Sequence, residues 1–265
     1  MKKCKLTVFS ILTALFSFGA YAAFMYVYTE SKFVPVRLLA DPLQNTPSSA
    51  WQPASGRLFI HQVNTVRRAK NKDARYNGYE LDILPAEEGG ELFVAHDAAA
   101  LPAKVKLADI FAALKRPQEK TYWLDLKAEL TPAQLDEILQ TAERFNIPQT
   151  NLLFETPAGP TAKMIQKKGL SLLLQIREGF DQDGKDPKRR NEINRETLAD
   201  WEEYRPAAVS ASFGKYPFLR GYFPNMPKAI YYSTTRRPSL KKAFMARRLR
   251  EDPSVKIFLI DEYTW

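Results

Sequence analysis

The chain contains only two histidines, His61 and His96, and both fall at the ends of short apolar runs close to acidic residues. Histidine is the side chain whose ordinary pKa lies nearest neutrality, which suits it to taking and giving protons. One strand-end histidine alone reads as a structural residue. Two of them, set around GYELDI (78–83) and followed by TYWLDLK (121–127), point to catalysis. Side chains alternate across a strand, so Glu80 and Asp82 share one face while Tyr79, Leu81 and Ile83 take the other. Two carboxylates in one partly desolvated place repel each other unless a proton or a cation intervenes. A hard divalent ion, Mg2+ or Ca2+, is the simplest remedy. Asp125 and Lys127 repeat the same two-residue spacing. Taken by itself, Lys127 reads either as a charge-compensating partner of Asp125 or as an anion-binding group; beside the other acids it suits an anion-binding group next to a metal.

These residues need a scaffold that brings strand ends together. From Leu58 onward, apolar or β-rich runs alternate with longer amphipathic ones. Strands are expected at 58–63, 78–84, 121–127, 151–155, 170–176, 207–213, 229–233 and 255–260, with a side strand at 91–95. Helices are expected at 65–76, 107–114, 132–145, 160–168, 195–204 and 239–250, with a turn through 217–222. Eight strands with helices between them predict a (β/α)8 TIM barrel, an α/β fold for which about 250 residues is typical. The chain stops just after the eighth strand, so the last helix is missing or replaced, and the lead-in before Leu58 is the candidate to cover the gap. Active sites in this architecture sit at the C-terminal ends of the strands, where His61, Glu80, Asp82, Asp125, Lys127 and Glu155 all fall.

Composition sets the outer bounds. A chain of 265 residues with 45% hydrophobic content can bury one full core. The formal charge is +9, and residues 33–265 keep 35 cations against 29 anions, or +6. That excess suits an anionic surface or a phosphate-bearing substrate. The single cysteine, Cys4, precedes the apolar N-terminal run, which excludes disulfides and thiolate chemistry from the folded part. Lys2, Lys3 and Lys5 come before 24 uncharged residues, Leu6 to Thr29, long enough for a transmembrane helix. The expected division is a signal anchor over 1–30, a proline- and serine-rich linker over 31–56 and the barrel over 57–265. The barrel would then stand on the extracytoplasmic side of the inner membrane, held by one span. Secretion after cleavage at the A-x-A pattern of Ala20 and Ala22 is the alternative.

HQVNT at 61–65, ELD at 80–82, HD at 96–97 and DLK at 125–127 together resemble the signature of the PLC-like phosphodiesterase superfamily. That group includes glycerophosphodiester phosphodiesterases, sphingomyelinase D enzymes and menorin-like proteins. The HxVN[ST] start and the aspartate of DLK resemble the last two branches more than the first. Glycerophosphodiesterases usually carry an arginine where this chain has Gln62 and a glutamate where it has Asp125. The resemblance covers about the first half of the barrel. It implies that His61 and His96 are an acid/base pair and that Glu80, Asp82 and Asp125 hold one Mg2+ or Ca2+. It also implies that Lys127 contacts phosphoryl oxygens and that Asn64 orients the first histidine's loop or a ligand. Glu155 would be a metal ligand through water or a partner of Lys127. The substrate implied is a glycerophosphodiester or (lyso)phospholipid-like phosphodiester.

The second half offers Gln175, Arg177, Ser210, Ser212, Tyr232, Asp261 and Tyr263 as candidate pocket residues at later strand ends. Two other functions fit parts of the pattern. One is a non-catalytic barrel that binds an anionic lipid or glycan. The other is a glycosidase using Glu80 and Glu155, for which both histidines and any metal would be dispensable. No zinc finger, Walker loop, dinucleotide fingerprint or repeat is present, and the cationic excess is too diffuse to expect nucleic acid as a partner.

Overall fold

The computed structural model describes residues 2–33, 51–54, 56–87, 90–177, 187–232 and 240–261. A long helix, α1 (Lys2–Phe33), comes first. The alternating part then runs β1 (Leu58–Ile60), α2 (Val66–Lys72), β2 (Gly78–Pro85), β3 (Leu92–Val94), α3 (Leu107–Ala112), β4 (Thr121–Leu126), α4 (Pro132–Arg144) and β5 (Leu152–Thr156). It continues through α5 (Pro160–Lys167), β6 (Ser171–Gln175), α6 (Pro187–Tyr204), β7 (Ala208–Ser212), α7 (Tyr216–Tyr222), β8 (Lys228–Tyr232), α8 (Leu240–Glu251) and β9 (Val255–Ile260). Eight of the nine strands are parallel, and β1 pairs with both β2 and β9, so the sheet closes into a barrel. The ninth, β3, is the expected side strand, antiparallel to β2.

The alternation read from the sequence becomes two shells of packing. Tyr79, Leu81 and Ile83 of β2, with Tyr122, Leu124 and Leu126 of β4, face outward and are buried beneath the helices. Inside the barrel, Phe59, Trp123, Leu153, Leu173, Ala208, Ala229, Ile257 and Leu259 form a separate apolar stack, with Trp51 packed against it. Gly78 makes room for this stack, since a Cβ there would stand 2.5 Å from the Phe59 ring. The helices begin where capping chemistry places them. Thr131 accepts from the Gln134 N–H and Pro132 takes the first position of α4.

Four expectations change. The first strand ends at Ile60 instead of Val63, because Gln62 adopts a left-handed backbone (φ 52°) that an extended run cannot continue. The helix expected from 195 already starts at Pro187, and the turn through 217–222 is the helix α7. Among the described residues no helix is long and apolar enough to cross a membrane, which corrects the transmembrane span expected between Leu6 and Thr29. Ser17, Gly19 and the tyrosines 21, 26 and 28 dilute the apolar run. The C-terminal end of α1 also lies on the barrel, where Met25 is buried and Tyr26 meets Phe244 of α8 edge-on at 5.7 Å.

No described helix follows β9. The lead-in does bind the neighbouring elements: Arg57 donates to the carbonyls of Leu249 (3.3 Å), Arg250 (2.8 Å) and Asp252 (2.6 Å), satisfying the C-terminal end of α8. The proposed linker thus includes residues that pack on the barrel, Trp51 among them, while 34–50 and 55 lie outside the described residues.

Candidate active site

Above the apolar stack, the inner faces of the strands turn polar. Pairing of β2 with β4 sets Asp82 beside Asp125, and pairing of β4 with β5 sets Asp125 beside Glu155. All of these point into the mouth of the barrel, because each sits an even number of residues from an inward neighbour. One ligand oxygen each from Glu80, Asp82 and Asp125 lies within 4.8 Å of the others. Lys127, the next inward position after Asp125, brings its ammonium onto both aspartates, 2.7 Å from Asp82 Oδ1 and in direct contact with Asp125.

The HQVN segment is bound to these acids residue by residue. His61 N–H still donates to the Ile260 carbonyl (2.9 Å), so the histidine leaves β1 at the rim beside β9. The left-handed turn at Gln62 then points its N–H at Glu80 Oε2, and Val63 N–H donates to the Glu80 carbonyl (2.9 Å). Asn64 takes the place of a neighbouring strand. Its Oδ1 accepts from the Asp82 N–H (3.0 Å) and its amide donates to Asp82 Oδ2 (2.5 Å). Asn64 therefore locks the first histidine's loop onto Asp82, one of the two roles expected for it. Thr65 closes the segment by capping α2.

Each histidine stands beside an aspartate. His61 Nδ1 is 2.9 Å from Asp261 Oδ1, its Nε2 is 3.8 Å from Glu80 Oε2, and its ring lies over Tyr231 with centroids 4.2 Å apart. With the Nδ1 proton given to Asp261, the Nε2 lone pair is left for the cavity. His96 lies on the exposed rim, 3.4 Å from Asp97 Oδ2. A cavity of about 370 Å³ is lined by both histidines, Glu80, Asp125, Lys127, Glu155 and, from the second half of the barrel, Gln175, Ser212, Lys215 and Tyr231.

The acids carry more negative charge than the site can hold. Burial, and then the charge of Asp82, hold Glu80 well above the ordinary carboxylate range against the pull of the Gln62 N–H. Burial likewise raises Asp125, although Lys127 opposes it. Burial would lower the Lys127 ammonium, but Asp125 and Asp82 outweigh it and raise the group. Asp82 Oδ1 is fully buried and makes no aligned hydrogen bond; its close neighbour is the Lys127 ammonium. Three crowded, buried or half-buried carboxylates with a single lysine ammonium shared between two of them fit a hard divalent cation.

Glu155 differs from what was expected of it. Its oxygens accept from Trp123 Nε1 (2.6 Å) and Ser210 Oγ (2.5 Å), so Lys127 is not its hydrogen-bond partner. Burial, then the charge of Asp125, push it up to about 8. Its folded-state pKa thus exceeds the ordinary 4.5, and the folded protein holds an extra proton between those values. Stability contributed by this group falls as pH rises through that window, by at most about 1.4 kcal/mol per pH unit. Glu155→Gln removes the titration and keeps both partners. In metal-free protein, the Tm of the variant minus that of the wild type should be near zero at pH 4.5 and grow toward pH 8. A difference that stays constant across that range would contradict this.

Of the later candidates, Gln175, Ser210 and Ser212 line the cavity and Asp261 bonds His61. Arg177 is instead held on α6 by two bonds to Asp200 (2.7 and 2.8 Å). Tyr232 faces outward into the main core and Tyr231 takes the inward position. Tyr263 lies outside the described residues. Sequence reasoning passed over Gln62 as a backbone donor, Trp123 and Tyr231, and read Lys215 only as part of the basic, aromatic segment KYPFLRGYF. Trp123 was within reach, since it shares the parity of Asp125.

No family model matches the chain, and no curated protein matches it. Solved structures do. A glycerophosphodiester phosphodiesterase from Parabacteroides distasonis is 10% identical, covering 78% of this chain and 94% of its own, with a TM-score of 0.51. An N-(5'-phosphoribosyl)anthranilate isomerase from Pyrococcus furiosus is 9% identical over 78% and 88%, with a TM-score of 0.47. An orotidine 5'-phosphate decarboxylase from Pyrococcus horikoshii is 12% identical over 76% and 88%, with a TM-score of 0.44. What the phosphodiesterase from Parabacteroides distasonis shares with this chain is the barrel. At such identities the likeness speaks for the fold, and the chemistry has to be argued from the side chains.

Proposed function

We propose that the chain is a divalent-metal-dependent phosphodiesterase acting on a glycerophosphodiester or (lyso)phospholipid-like substrate. The observation that carries this reading is the meeting of His61 and His96, each beside an aspartate, with Glu80, Asp82, Asp125 and Lys127 around one cavity. His61, oriented by Asp261 through Nδ1, takes the proton of the attacking oxygen at Nε2. His96, on the open rim, returns a proton to the leaving alcohol. Lys127, at the rim beside the two aspartates, would contact the phosphoryl oxygens. Glu80, Asp82 and Asp125 would hold that cation, Mg2+ or Ca2+, which supplies charge neutralisation at the phosphoryl group. Asn64 keeps Asp82 and the His61 loop in register. Glu155, bonded on both oxygens, shapes the floor.

An extracytoplasmic location belongs to this proposal: Lys2, Lys3 and Lys5 precede an apolar stretch in the manner of a cleavable export signal, the A-x-A pattern of Ala20 and Ala22 included. A lipid-derived substrate is the one a phosphodiesterase would meet at that surface.

The deciding assay presents the full chain with a panel from glycerophosphocholine to lysophospholipids, in Mg2+, in Ca2+ and in EDTA. Metal-dependent release of an alcohol is the expected result, and 31P NMR of the first product separates a cyclic phosphate from a linear one. If metal binds but nothing on the panel is cleaved, the proposal gives way to a barrel that binds an anionic lipid or glycan.

A further inference from the structure

The cavity is chemically lopsided. All of its metal-fitting acids and both histidines come from the first three barrel strands and the β3 hairpin, while the wall from β6 to β8 contributes Gln175, Ser212, Lys215 and Tyr231. Lys215 ends the single turn Phe213–Lys215 that follows β7, three strands round the barrel from Lys127. Its ammonium donates to the Arg177 carbonyl at 3.3 Å, and no carboxylate pairs with it among the described residues. The Arg177 side chain itself is held by Asp200, away from Lys215. Lys127, by contrast, is already shared between two aspartates.

The acids near this second wall are engaged. Glu155 accepts from Trp123 and Ser210, and Asp261 accepts from His61 and from the Tyr231 hydroxyl (3.4 Å). The Tyr231 ring gives one face to His61, and among the described residues the wall from β6 to β8 lines the cavity with no second aromatic ring to box a cation. A quaternary ammonium would find no free carboxylate at this wall and would face the Lys215 ammonium. An anion would find an ammonium, an amide and a hydroxyl.

We infer that this wall is a headgroup subsite for a second anion: the substrate is a phosphodiester whose alcohol carries a carboxylate or a phosphate, held by Lys215 with Gln175 and Ser212. Choline-type headgroups are disfavoured against anionic ones and are cleaved more slowly. The inference rests on the phosphodiesterase reading for turnover but not for binding.

Four glycerol phosphate diesters test it, made with 3-hydroxypropanoate, with the monophosphate of ethylene glycol, with 1-propanol and with choline. Wild type, Lys215→Ala and Lys215→Glu are compared by kcat/KM, and binding is measured by calorimetry in a His61→Ala background. The wild type should prefer an anionic diester over the choline diester by about tenfold or more, and the better of the two anions names the headgroup. Lys215→Ala should collapse the ratio of anionic to propyl diester by about tenfold. Lys215→Glu should reverse the order in favour of choline. Equal use of anionic and choline diesters by the wild type, or an equal loss on all four in Lys215→Ala, would overturn the subsite and leave the phosphodiesterase standing. If no diester is cleaved, anion-selective binding that disappears with Lys215→Ala sustains the subsite without the activity. Indifferent binding, or no binding at all, rejects it.

Discussion

Alanine in place of His61 is expected to lower phosphodiester turnover by about 10^2- to 10^4-fold while the barrel stays folded and still binds metal. The side chain is 16% exposed at the rim, beyond the last residue of β1, so its removal opens no void in either apolar cluster. Its work is directional. Asp261 holds Nδ1, which turns Nε2 toward the cavity. His96→Ala should fall in the same range on natural diesters. The two roles separate with an aryl phosphodiester, whose leaving group departs without a proton: it should rescue the His96 variant and leave the His61 variant slow. Circular dichroism and Tm control for folding. A loss of less than about threefold in His61→Ala would remove general base catalysis by this residue.

The second large effect is metal dependence. Mg2+ or Ca2+ at a hundred times its Kd should stabilise the wild type by about 2.7 kcal/mol, a rise in Tm of roughly 5–10 °C for a domain of this size. Glu80→Gln should lose metal affinity by more than about 100-fold, show no such rise, and lose turnover with it. The metal-free variant, however, should be at least as stable as metal-free wild type at neutral pH. Burial and Asp82 already hold Glu80 above its ordinary range, so the ionised form is a cost that only a cation relieves. Gln keeps an oxygen for the Gln62 N–H, and the loop geometry survives. Thermal melts with and without metal read both claims. A wild type whose Tm ignores Mg2+ and Ca2+ would sink the assignment of Glu80, Asp82 and Asp125 as ligands.

Much of this site could be read before any coordinates, because strand parity is a local property. GYELDI had to put Glu80 and Asp82 on one face, and TYWLDLK had to put Asp125 and Lys127 on another, whatever the strands paired with. The order of eight strands with helices between them carried the closed barrel, and closure carried the convergence of strand ends. The N-terminal segment misled, since its length met the requirement for a span while its small and polar residues diluted it, and one end packs on α8.

The sequence by itself determined which residues face inward and that they gather at one mouth. Tertiary structure alone decided their partners. Asp261 reaches His61 across 200 positions only because β9 closes on β1. Glu155 meets Trp123 and Ser210 through strand stagger, and Tyr231 takes the inward position in place of Tyr232 because the pairing of β7 with β8 sets it beside Ser212. Lys215 sits on a turn, where no periodicity applies. Alternation is set by the backbone of one strand. Contacts between strand ends depend on register, stagger and closure, which belong to the whole sheet.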